Sequence, residues 1–480
     1  MLTNILLWGG YFALFAFLVC KGRSKDAVLS GTMGFGVQAF AYVATYISAV
    51  ALVGFGGLAH AYGLQMLLIA AGNVWLGTWA VYHFLAWPTR RWQQALGART
   101  PAQLLAIGHN SPLLGRCLAL VFAVFLGVYA SGVIKGAALL LGEIVPLPVS
   151  TLIWLVAGLV GLAVYIGGLR GVLYTEAMQG AVMLFGMLLL IWAVISRVGG
   201  PIEGIHALAA LAPTAQANNG FTSLSSGEKG LFILSLTMVT SVAVWAQPQM
   251  IQRHFALAGP SQLSRITPLA MLILTVLVGG AYFIAALSRL ILPEVSSPDV
   301  VMPTLVRMLL PEFALQLFVL AIVSASLSTA TAIFHIAVSA FSEDLCNGRG
   351  SKLLWFIGIV VCVAVSGFCA HIKGQLVALL CTTSWSIVGA AALVPYVALV
   401  CFDRRNAAAA MGSAIIGFAV CLGWYLFAYG STAITGPLLG PAAAAMPPFF
   451  VGLGASLLGW FACAALCPRA AEPLPVETRR

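Results

Sequence analysis

The sequence predicts an all-α protein that crosses a membrane many times. Hydrophobic residues make up 61% of the 480 residues and charged residues only 8%, and the mean hydropathy is +1.03. Water-soluble proteins do not reach these values, whereas polytopic membrane proteins do. The apolar residues also fall in successive runs of about 20, the length that an α-helix needs to span the hydrocarbon core.

Thirteen membrane-spanning helices are predicted when these runs are taken in chain order. They cover residues 3–20, 35–58, 65–87, 113–141, 149–167, 172–196, 231–250, 266–292, 311–340, 353–371, 375–401, 408–430 and 447–467. The first run is interpreted as a spanning helix and not as a signal peptide. Its positive charges follow the apolar stretch, and no small-residue cleavage site is evident.

The net charge of +10 reflects how lysine and arginine are distributed among the short loops. With the N-terminus outside, most of them fall on the cytoplasmic side, as the positive-inside rule requires. These are Lys21, Arg23, Lys25, Arg90, Arg91, Arg99, Arg116, Arg170, Arg253, Arg265, Arg349, Lys352, Arg404, Arg405, Arg469, Arg479 and Arg480. The outer side holds Arg197, Lys229, Arg289, Arg307 and Lys373. We therefore expect an outer N-terminus and a cytoplasmic C-terminus in a bacterial inner membrane, with no nucleic-acid partner.

The whole chain, 1–480, is predicted to form a single membrane domain. No segment between the spans is long enough for a second one, and the longest, 199–230, is a loop rich in proline, glycine and serine with room for a short helix. The ten cysteines form no CxxC pair and mostly lie in apolar runs. They are interpreted as small buried hydrophobic residues and not as disulfides or metal ligands.

Two of the predicted helices carry signals for an interruption inside the membrane. The helix at 35–58 has Thr45 and Ser48 near its centre and glycines beyond them. The helix at 231–250 ends in polar residues around Pro248, which removes a backbone donor. A broken helix frees carbonyl groups that line a cavity. The alternatives are a glycine-packed helix interface in the first case and an ordinary proline terminator in the second.

The stretch 320–345 combines an apolar composition with a polar stripe. Hydroxyl and imidazole side chains recur every three or four residues and so lie on one helical face. They are Ser324, Ser328, Thr331, His335 and Ser339. Such groups need polar partners within a membrane, so this face is predicted to point into the protein. His335 is interpreted as a hydrogen-bonded structural group, with a proton relay as the alternative.

Acidic residues are rare in the predicted spans. Glu176 lies about one turn into the helix at 172–196, and it is either a carboxylate that reaches the inner interface or a group on an ion exit path. Glu343 and Asp344 are interpreted as an interfacial cap. The sequence shows no clustered histidines and carboxylates at catalytic spacing, so an enzyme is not expected.

Six stretches in chain order resemble the sodium:solute symporter family. They are ATYISAVALVGFGG at 44–57, GGLRGVLYTEAMQG at 167–180, AQPQMIQRHFA at 246–256, PDVVMPTL at 298–305, SLSTATAIFHIAVSAFSEDL at 326–345 and WSIVGAAALVP at 385–395. Each is weak alone, but six at matching topological positions are specific. The likeness runs from about Lys21 to Arg405 and is strongest to the pantothenate and proline symporter branches.

The resemblance implies a five-plus-five inverted-repeat core, the amino-acid-transporter-like arrangement. The repeats would cover 31–198 and 231–405, separated by the outer loop 199–230. The first helix with its inner loop, 1–30, would precede them, and two peripheral helices with a short inner tail, 406–480, would follow. Each predicted break then opens one repeat, and a functional monomer is expected.

Carried over residue by residue, the family's sodium site falls on the first break and the stretch 320–345. The ligands would be the backbone carbonyls of Ala44, Ile47 and Ala325 and the hydroxyls of Ser328 and Thr329. Sodium is a hard cation that prefers oxygen. The alternative is that both hydroxyls bond back to their own helix. Ala332 supplies no oxygen for the second sodium site of some relatives, so one sodium ion per cycle is expected.

The substrate is expected beside this ion, where side chains offer hydrogen bonds and aromatic walls. The candidates are Asn73, Thr240, Ser241, Trp245, Gln247, Ser384 and Trp385. Each alone could equally join two helices.

The resemblance implies a sodium-coupled symporter that works by alternating access without an organic cofactor. It would import a small polar or organic-acid solute of the pantothenate, amino-acid or monocarboxylate class, with Glu176 in coupling or ion exit. A proton-coupled symporter of the same fold is the alternative, with Glu176 or His335 as its titrating group.

Overall fold

The computed structural model describes residues 2–21, 34–225, 227–347, 350–372, 376–429 and 440–468. All regular elements within these ranges are helical. Some of the charges on which the predicted orientation rests lie outside the described residues. They are Arg23, Lys25, Arg349, Lys373, Arg469, Arg479 and Arg480.

Most of the α-helices of the described ranges follow one another after short connections, whereas about twenty residues separate the helix that ends at Ala209 from the one that begins at Gly230. The first ten are α1 (Leu2–Lys21), α2 (Phe35–Tyr46), α3 (Gly56–Tyr62), α4 (Leu67–Val74), α5 (Trp87–Leu96), α6 (Pro101–Gly108), α7 (Pro112–Leu141), α8 (Val149–Arg197), α9 (Pro201–Ala209) and α10 (Gly230–Ser241). The others are α11 (Pro248–His254), α12 (Leu263–Leu274), α13 (Gly280–Leu287), α14 (Pro298–Leu309), α15 (Glu312–Ser339), α16 (Lys352–Ala370), α17 (Val377–Phe402), α18 (Ala407–Phe427), α19 (Gly440–Ala445) and α20 (Pro448–Leu466).

Shorter helical turns continue several of these helices. The π-helical segments are Val50–Phe55, Trp75–Ala86, Thr275–Gly279 and Ala340–Leu345. The 3-10 turns are Gly63–Met66, Gly227–Lys229, Ala243–Ala246, Pro260–Gln262 and Ser288–Leu290. The predicted outer loop 199–230 contains the short helix α9, for which its length left room.

The chain is a multi-pass membrane protein. Ten helical runs of the described ranges are long and apolar enough to cross a membrane, or eleven if the bent pair Gly230–Ala246 and Pro248–His254 is one span. The predicted helices at 35–58 and 65–87 are replaced by the short α2 and a continuous helical run, Val50–Leu96. The expected thirteen spans therefore stay a prediction.

Helix α8 contains two of the predicted spans. The predicted helices at 149–167 and 172–196 are joined by helical residues where a loop was expected. The two halves of α8 pack against different helices. In the first half, Trp154 packs on Phe368 and Tyr165 on Phe356 of α16. In the second half, Gly186 contacts Ala321 of α15. α8 therefore packs along both α15 and α16.

Helix α15 lies at the centre of the bundle. Every residue from Phe318 to Phe334 is buried, so the whole circumference is covered and not only the polar stripe. α8 and α7 pack along it, and α2 and α11 contact it as well. Polar groups on such a helix have no water to bind and must find partners inside the protein.

Candidate ion and substrate site

The first interruption lies at the end of α2. The helix ends at Tyr46, and Ile47 is extended, with φ −107° and ψ 132°, before helical conformation resumes at Ala49. The predicted break is confirmed. It leaves the last carbonyl groups of α2 without partners in their own helix. The glycines beyond it also pack closely, since a Cβ at Gly54 would lie 2.7 Å from the nitrogen of Ala378.

Thr329 of α15 faces these carbonyl groups. Its Oγ1 lies 3.0 Å from the carbonyl oxygen of Ala44, 3.3 Å from that of Ile47 and 3.1 Å from that of Ala325. One hydroxyl has one proton, so it donates to one of the three acceptors at a time. The hydroxyl of the neighbouring Ser328 is buried and has no hydrogen-bond partner. Four of these oxygens meet at Thr329, and the Ser328 hydroxyl belongs to the neighbouring residue, so the five together offer more acceptors than protons.

An excess of buried oxygen acceptors suits a small hard cation. Sodium prefers oxygen ligands, and all five oxygens here are neutral, so a single positive charge would not be overcompensated. The negative end of the α2 dipole points at the same place. The described residues contain no group of three or more His, Cys, Asp or Glu that could hold a metal ion. The residues present therefore fit sodium as transported cargo.

The other hydroxyls of the stretch 320–345 are used differently. Four of them donate to carbonyl oxygens of their own helix, and these are Ser324, Ser326, Thr331 and Ser339. Thr329 reaches a second helix, and Ser328 stays unpaired. His335 Nδ1 is buried without a hydrogen-bond partner, so this nitrogen does not make the expected structural hydrogen bond. Its ring lies edge-on to that of Trp355, with centroids 5.3 Å apart.

A buried ion pair braces the first break. Arg253 of α11 pairs with Glu176 of α8, and Arg253 Nε donates to the hydroxyl of Thr45 at 3.1 Å. The Glu176 side chain is 0% exposed and that of Arg253 is 7% exposed. Glu176 therefore does not reach the membrane interface, which excludes the first of its two interpretations. Because Thr45 lies between Ala44 and Ile47, the pair holds the turn that carries two of the five oxygens.

Arg253 is the residue that sequence reasoning missed. It was expected in a cytoplasmic loop. The chain instead forms α11 from Pro248 onward, and this helix, including Arg253, is buried in the bundle. Its place one turn beyond a predicted break was the available signal. Arg90 is likewise buried and not in a loop, and it donates to Gln93 Oε1 at 2.7 Å and to the Phe255 carbonyl oxygen.

The second interruption lies between α10 and α11. A 3-10 turn, Ala243–Ala246, follows α10, and Gln247 is extended, with φ −67° and ψ 123°, before Pro248 begins α11. The axis bends by 52°. This break is confirmed as well, because the helix continues beyond the proline. Tyr46 joins the two breaks, since its hydroxyl donates to the carbonyl oxygen of Thr240 at 2.5 Å.

Helix α4 and the start of the π-helical segment after it pack against the second break through three of the predicted substrate residues, Asn73, Ser241 and Trp245. Ser241 Oγ donates to Asn73 Oδ1 at 3.0 Å. Trp245 Nε1 donates to the carbonyl oxygen of Leu76 at 3.0 Å. Gly72 permits this approach, because a Cβ there would lie 2.7 Å from Ser241 Oγ. These polar groups therefore satisfy one another within the protein.

Helix α17 reaches the same break through Gln247 and Trp385. Gln247 Nε2 donates to the carbonyl oxygen of Trp385 at 3.3 Å. The Trp385 ring lies edge-on to that of Tyr129 on α7, with centroids 5.1 Å apart. Gln247 Oε1 and Trp385 Nε1 are both buried without a hydrogen-bond partner. Two free polar atoms thus lie at this end of the group.

Two predicted substrate residues point elsewhere. Ser384 Oγ donates to the carbonyl oxygen of Phe125 on α7 at 2.5 Å. Thr240 Oγ1 donates to the carbonyl oxygen of Thr237 in its own helix at 3.3 Å. The structure therefore groups Asn73, Ser241, Trp245, Gln247 and Trp385, whereas the Ser384 and Thr240 side chains make contacts within or between helices.

Comparison with known proteins identifies the family of the chain. The model of the sodium:solute symporter family matches residues 28–417. A sodium/pantothenate symporter of Haemophilus influenzae is 28% identical over 79% of this chain and 80% of its own length. A high-affinity proline transporter of Bacillus subtilis is 25% identical over 86% of this chain and 89% of its own.

A solved structure shares the fold. The substrate-bound outward-open state of a Na+-coupled sialic acid symporter superposes with a TM-score of 0.74 at 15% identity, covering 98% of this chain and 99% of that one. The fold is thus the all-α, five-plus-five inverted-repeat arrangement. Because the family match spans most of the sequence, the chain belongs to the sodium:solute symporter family and is a sodium-coupled solute transporter, not an enzyme.

Proposed function

We propose that this transporter imports a small organic acid or amino acid together with one sodium ion bound at the first break. The ligands of the ion are Ala44, Ile47, Ala325, Ser328 and Thr329. The observation that supports this assignment is the contact of one hydroxyl, Thr329 Oγ1, with three carbonyl oxygens beside the unpaired hydroxyl of Ser328. A cation relieves the repulsion among these oxygens and gives Ser328 a partner.

Coupling follows from where the ligands lie. Sodium joins the end of α2 to α15, and the end of α2 is joined in turn to the second break by the Tyr46–Thr240 hydrogen bond. Ion binding therefore favours the conformation in which the second break is in place to bind the solute. Inward movement of one charge gains about 2.3 kcal/mol per 100 mV of membrane potential.

The Glu176–Arg253 pair serves coupling and ion exit. Arg253 holds Thr45, and so a change in this pair is felt by the carbonyl groups of Ala44 and Ile47. A cavity of about 10 Å³, room for about one water molecule, lies beside Arg253 and Gln38. Separation of the pair would open a polar path from the ion to this cavity.

A stoichiometry of one sodium per cycle is supported by the surroundings of Glu176. Its charge is already balanced by Arg253. The Thr331 hydroxyl donates to its own helix, and Ala332 carries no side-chain oxygen. Glu176 Oε2 has no hydrogen-bond partner, but a second cation beside it would find neither an uncompensated negative charge nor a free hydroxyl from Thr331 or residue 332.

The substrate class rests on the relatives and on the second break. Those relatives are named for pantothenate and proline, both small carboxylates with additional hydrogen-bonding groups. The second break offers neutral polar groups of matching size, from Asn73 and Ser241 to Gln247 and Trp385. Monocarboxylates with a second polar group belong to the same class.

The site is built from one chain, which supports a functional monomer. Both breaks, α15 and α17 contribute to it without a second copy. The repeats are proposed at 31–198 and 231–405, each opened by its break, with 1–30, 199–230 and 406–480 outside them. The proposed orientation keeps the N-terminus outside and the C-terminus in the cytoplasm. The bias of basic residues supports it even without the buried Arg90 and Arg253.

Uptake into proteoliposomes tests this function. Radiolabelled pantothenate and L-proline are offered under an inward sodium gradient, with potassium replacing sodium in the control. We expect sodium-dependent accumulation of at least one of them, increased by a negative interior potential. Accumulation that persists in potassium and collapses with the pH gradient would favour proton coupling and contradict the proposal.

A further inference from the structure

We infer that Gln247 and Trp385 form the recognition pair for the solute: Trp385 Nε1 donates to a solute oxygen, and Gln247 Oε1 accepts from an N–H or O–H group of the same solute. This inference rests on the proposed function and narrows its substrate class. The solute carries a carbonyl or carboxylate oxygen within a few bonds of a hydrogen-bond donor.

The two free atoms have opposite roles. The indole N–H of Trp385 is a donor only. The amide of Gln247 is oriented by its contact with the Trp385 carbonyl oxygen, which requires the NH₂ group on that side. The reverse orientation would bring two oxygens together. Gln247 Oε1 is therefore the free atom, and the pair presents one donor and one acceptor.

Both residues are deeply buried, so bulk water does not satisfy these atoms. Gln247 is 0% exposed and Trp385 is 6% exposed. Buried polar side chains in folded proteins are nearly always hydrogen-bonded. Gln247 and Trp385 are hydrogen-bonded to each other, yet one keeps a free acceptor and the other a free donor, and this requires an explanation. A ligand that carries both complementary groups supplies one.

The surrounding contacts keep the pair in this arrangement. The Trp385 ring is held edge-on by Tyr129. One turn along α17, Gly389 lies against the second break, because a Cβ there would be 2.8 Å from the Cβ of Ala243. α17 is thus held close to the second break, which carries Gln247.

Trp245 offers an internal comparison. It is a half-buried tryptophan on the same break, but its indole N–H already donates to the Leu76 carbonyl oxygen. Replacement of Trp245 by phenylalanine removes a bond of the protein to itself. The same replacement at Trp385 removes no protein bond, so its cost appears only when the solute binds.

The test measures thermal stability and solute binding of the purified full-length protein in sodium. The variants are Trp385→Phe, Gln247→Met and, for comparison, Trp245→Phe. The probes are pantothenate and L-proline. In Trp385→Phe we expect an unchanged melting temperature without solute and a rise of about tenfold in the Kd of the bound probe, the value of one hydrogen bond to a charged or polar group. Gln247→Met should raise this Kd by a similar factor, and Trp245→Phe should mainly lower the melting temperature.

A solute analogue completes the test. Cyclopentanecarboxylate lacks the ring N–H of proline but keeps its carboxylate. If L-proline is the probe that binds, its advantage over this analogue should disappear in Gln247→Met and persist in Trp385→Phe. An unchanged Kd in both variants, or binding of neither probe to the wild type, would overturn the recognition pair. If sodium does not raise the melting temperature of the wild-type protein, the proposed function itself is contradicted.

Discussion

Both helix breaks contain an extended residue between two helical segments, Ile47 in the first and Gln247 in the second, but they leave different groups free. At the first break, between Tyr46 and Ala49, the groups without partners in their own helix are carbonyl oxygens, and the Thr329 hydroxyl brings one proton to them. At the second, around Gln247, the backbone groups are largely occupied and side chains carry the free donor and acceptor.

This difference teaches why one break suits an ion and the other a solute. A cluster of oxygen acceptors binds a cation according to its charge and its size. A donor and an acceptor at fixed positions select molecules by the arrangement of their polar groups. The hydrogen bond from Tyr46 to the Thr240 carbonyl oxygen links the two breaks.

The largest effect is expected when the first break loses its hydroxyls. Replacement of both Ser328 and Thr329 by alanine should abolish sodium-dependent uptake, because only the three carbonyl oxygens remain. Ser328→Ala alone should leave the melting temperature without sodium unchanged, since this hydroxyl has no partner to lose. Its sodium affinity should fall about tenfold, for the loss of one ligand oxygen.

A serine on the same helix provides the control for these variants. Ser326 is also buried, but its hydroxyl donates to the Ile322 carbonyl oxygen at 2.9 Å. Ser326→Ala should keep the sodium affinity of the wild type. Titration of the sodium-induced thermal shift compares the three proteins, and equal sodium affinities in all of them would rule out the assigned site.

The next largest effect concerns the ion pair. Arg253→Met leaves the Glu176 carboxylate buried without its partner, which should destabilise the protein by about 3–5 kcal/mol. The double variant with Glu176→Gln removes both charges and should recover much of this loss. Thermal melting in detergent compares the stabilities of the wild type, the two single variants and the double variant. A double variant as unstable as the sum of the single ones would show that the two residues act independently.

The double variant also tests coupling. If the pair guides sodium exit, the folded Glu176→Gln/Arg253→Met protein should bind solute with an affinity near that of the wild type but transport it more slowly. Parallel measurement of Kd and of the maximal uptake rate separates the two quantities. A wild-type uptake rate would remove Glu176 from the exit path.

A smaller effect is expected where the second break meets α4. Ser241→Ala leaves Asn73 Oδ1 without its hydrogen bond in a buried position, which should cost about 1–3 kcal/mol of stability. The melting temperature should fall while sodium affinity is kept. A stability equal to that of the wild type would indicate that Asn73 finds another partner, for example the solute itself.

The smallest effect is expected at Ser384. Its hydroxyl bonds to the Phe125 carbonyl oxygen and not to the second break. Ser384→Ala should lower stability by about 0.5–1.5 kcal/mol and should change the uptake KM less than Trp385→Phe does. An increase in KM as large as that of Trp385→Phe would return Ser384 to the recognition site and weaken the comparison of the two breaks.

The breaks themselves could be predicted from local chemistry. Ser48 and Thr45 in the middle of an apolar run and Pro248 beside glutamines disfavour a continuous helix wherever the chain lies in space. The proposed sodium ligands came from the resemblance. The structure adds the reason that Ser328 and Thr329 stand out among the hydroxyls of α15, since the others bond to their own helix.

The role of Arg253 could not be predicted in the same way. A charge next to the end of an apolar run is normally a loop residue, and the sequence around it does not say that α11 returns to the bundle. Only its contacts with Glu176 and Thr45 identify it as the support of the first break. The same holds for Ser384 and Trp385, which are adjacent in sequence, because only the structure shows that the Ser384 hydroxyl bonds to the Phe125 carbonyl oxygen while the Trp385 indole N–H has no partner.

The sequence by itself therefore determined the membrane class, the helix interruptions and the family, because hydropathy, proline and motif order are properties of short stretches. Tertiary structure alone decided which buried polar groups have a hydrogen-bond partner within the protein and which do not. Thr329 and Ala44 are 285 residues apart, and Gln247 and Trp385 are 138 apart. Whether a buried hydroxyl, amide or guanidinium has a partner depends on groups brought from such distances, and at both breaks the free atoms are the ones to which a ligand can bind.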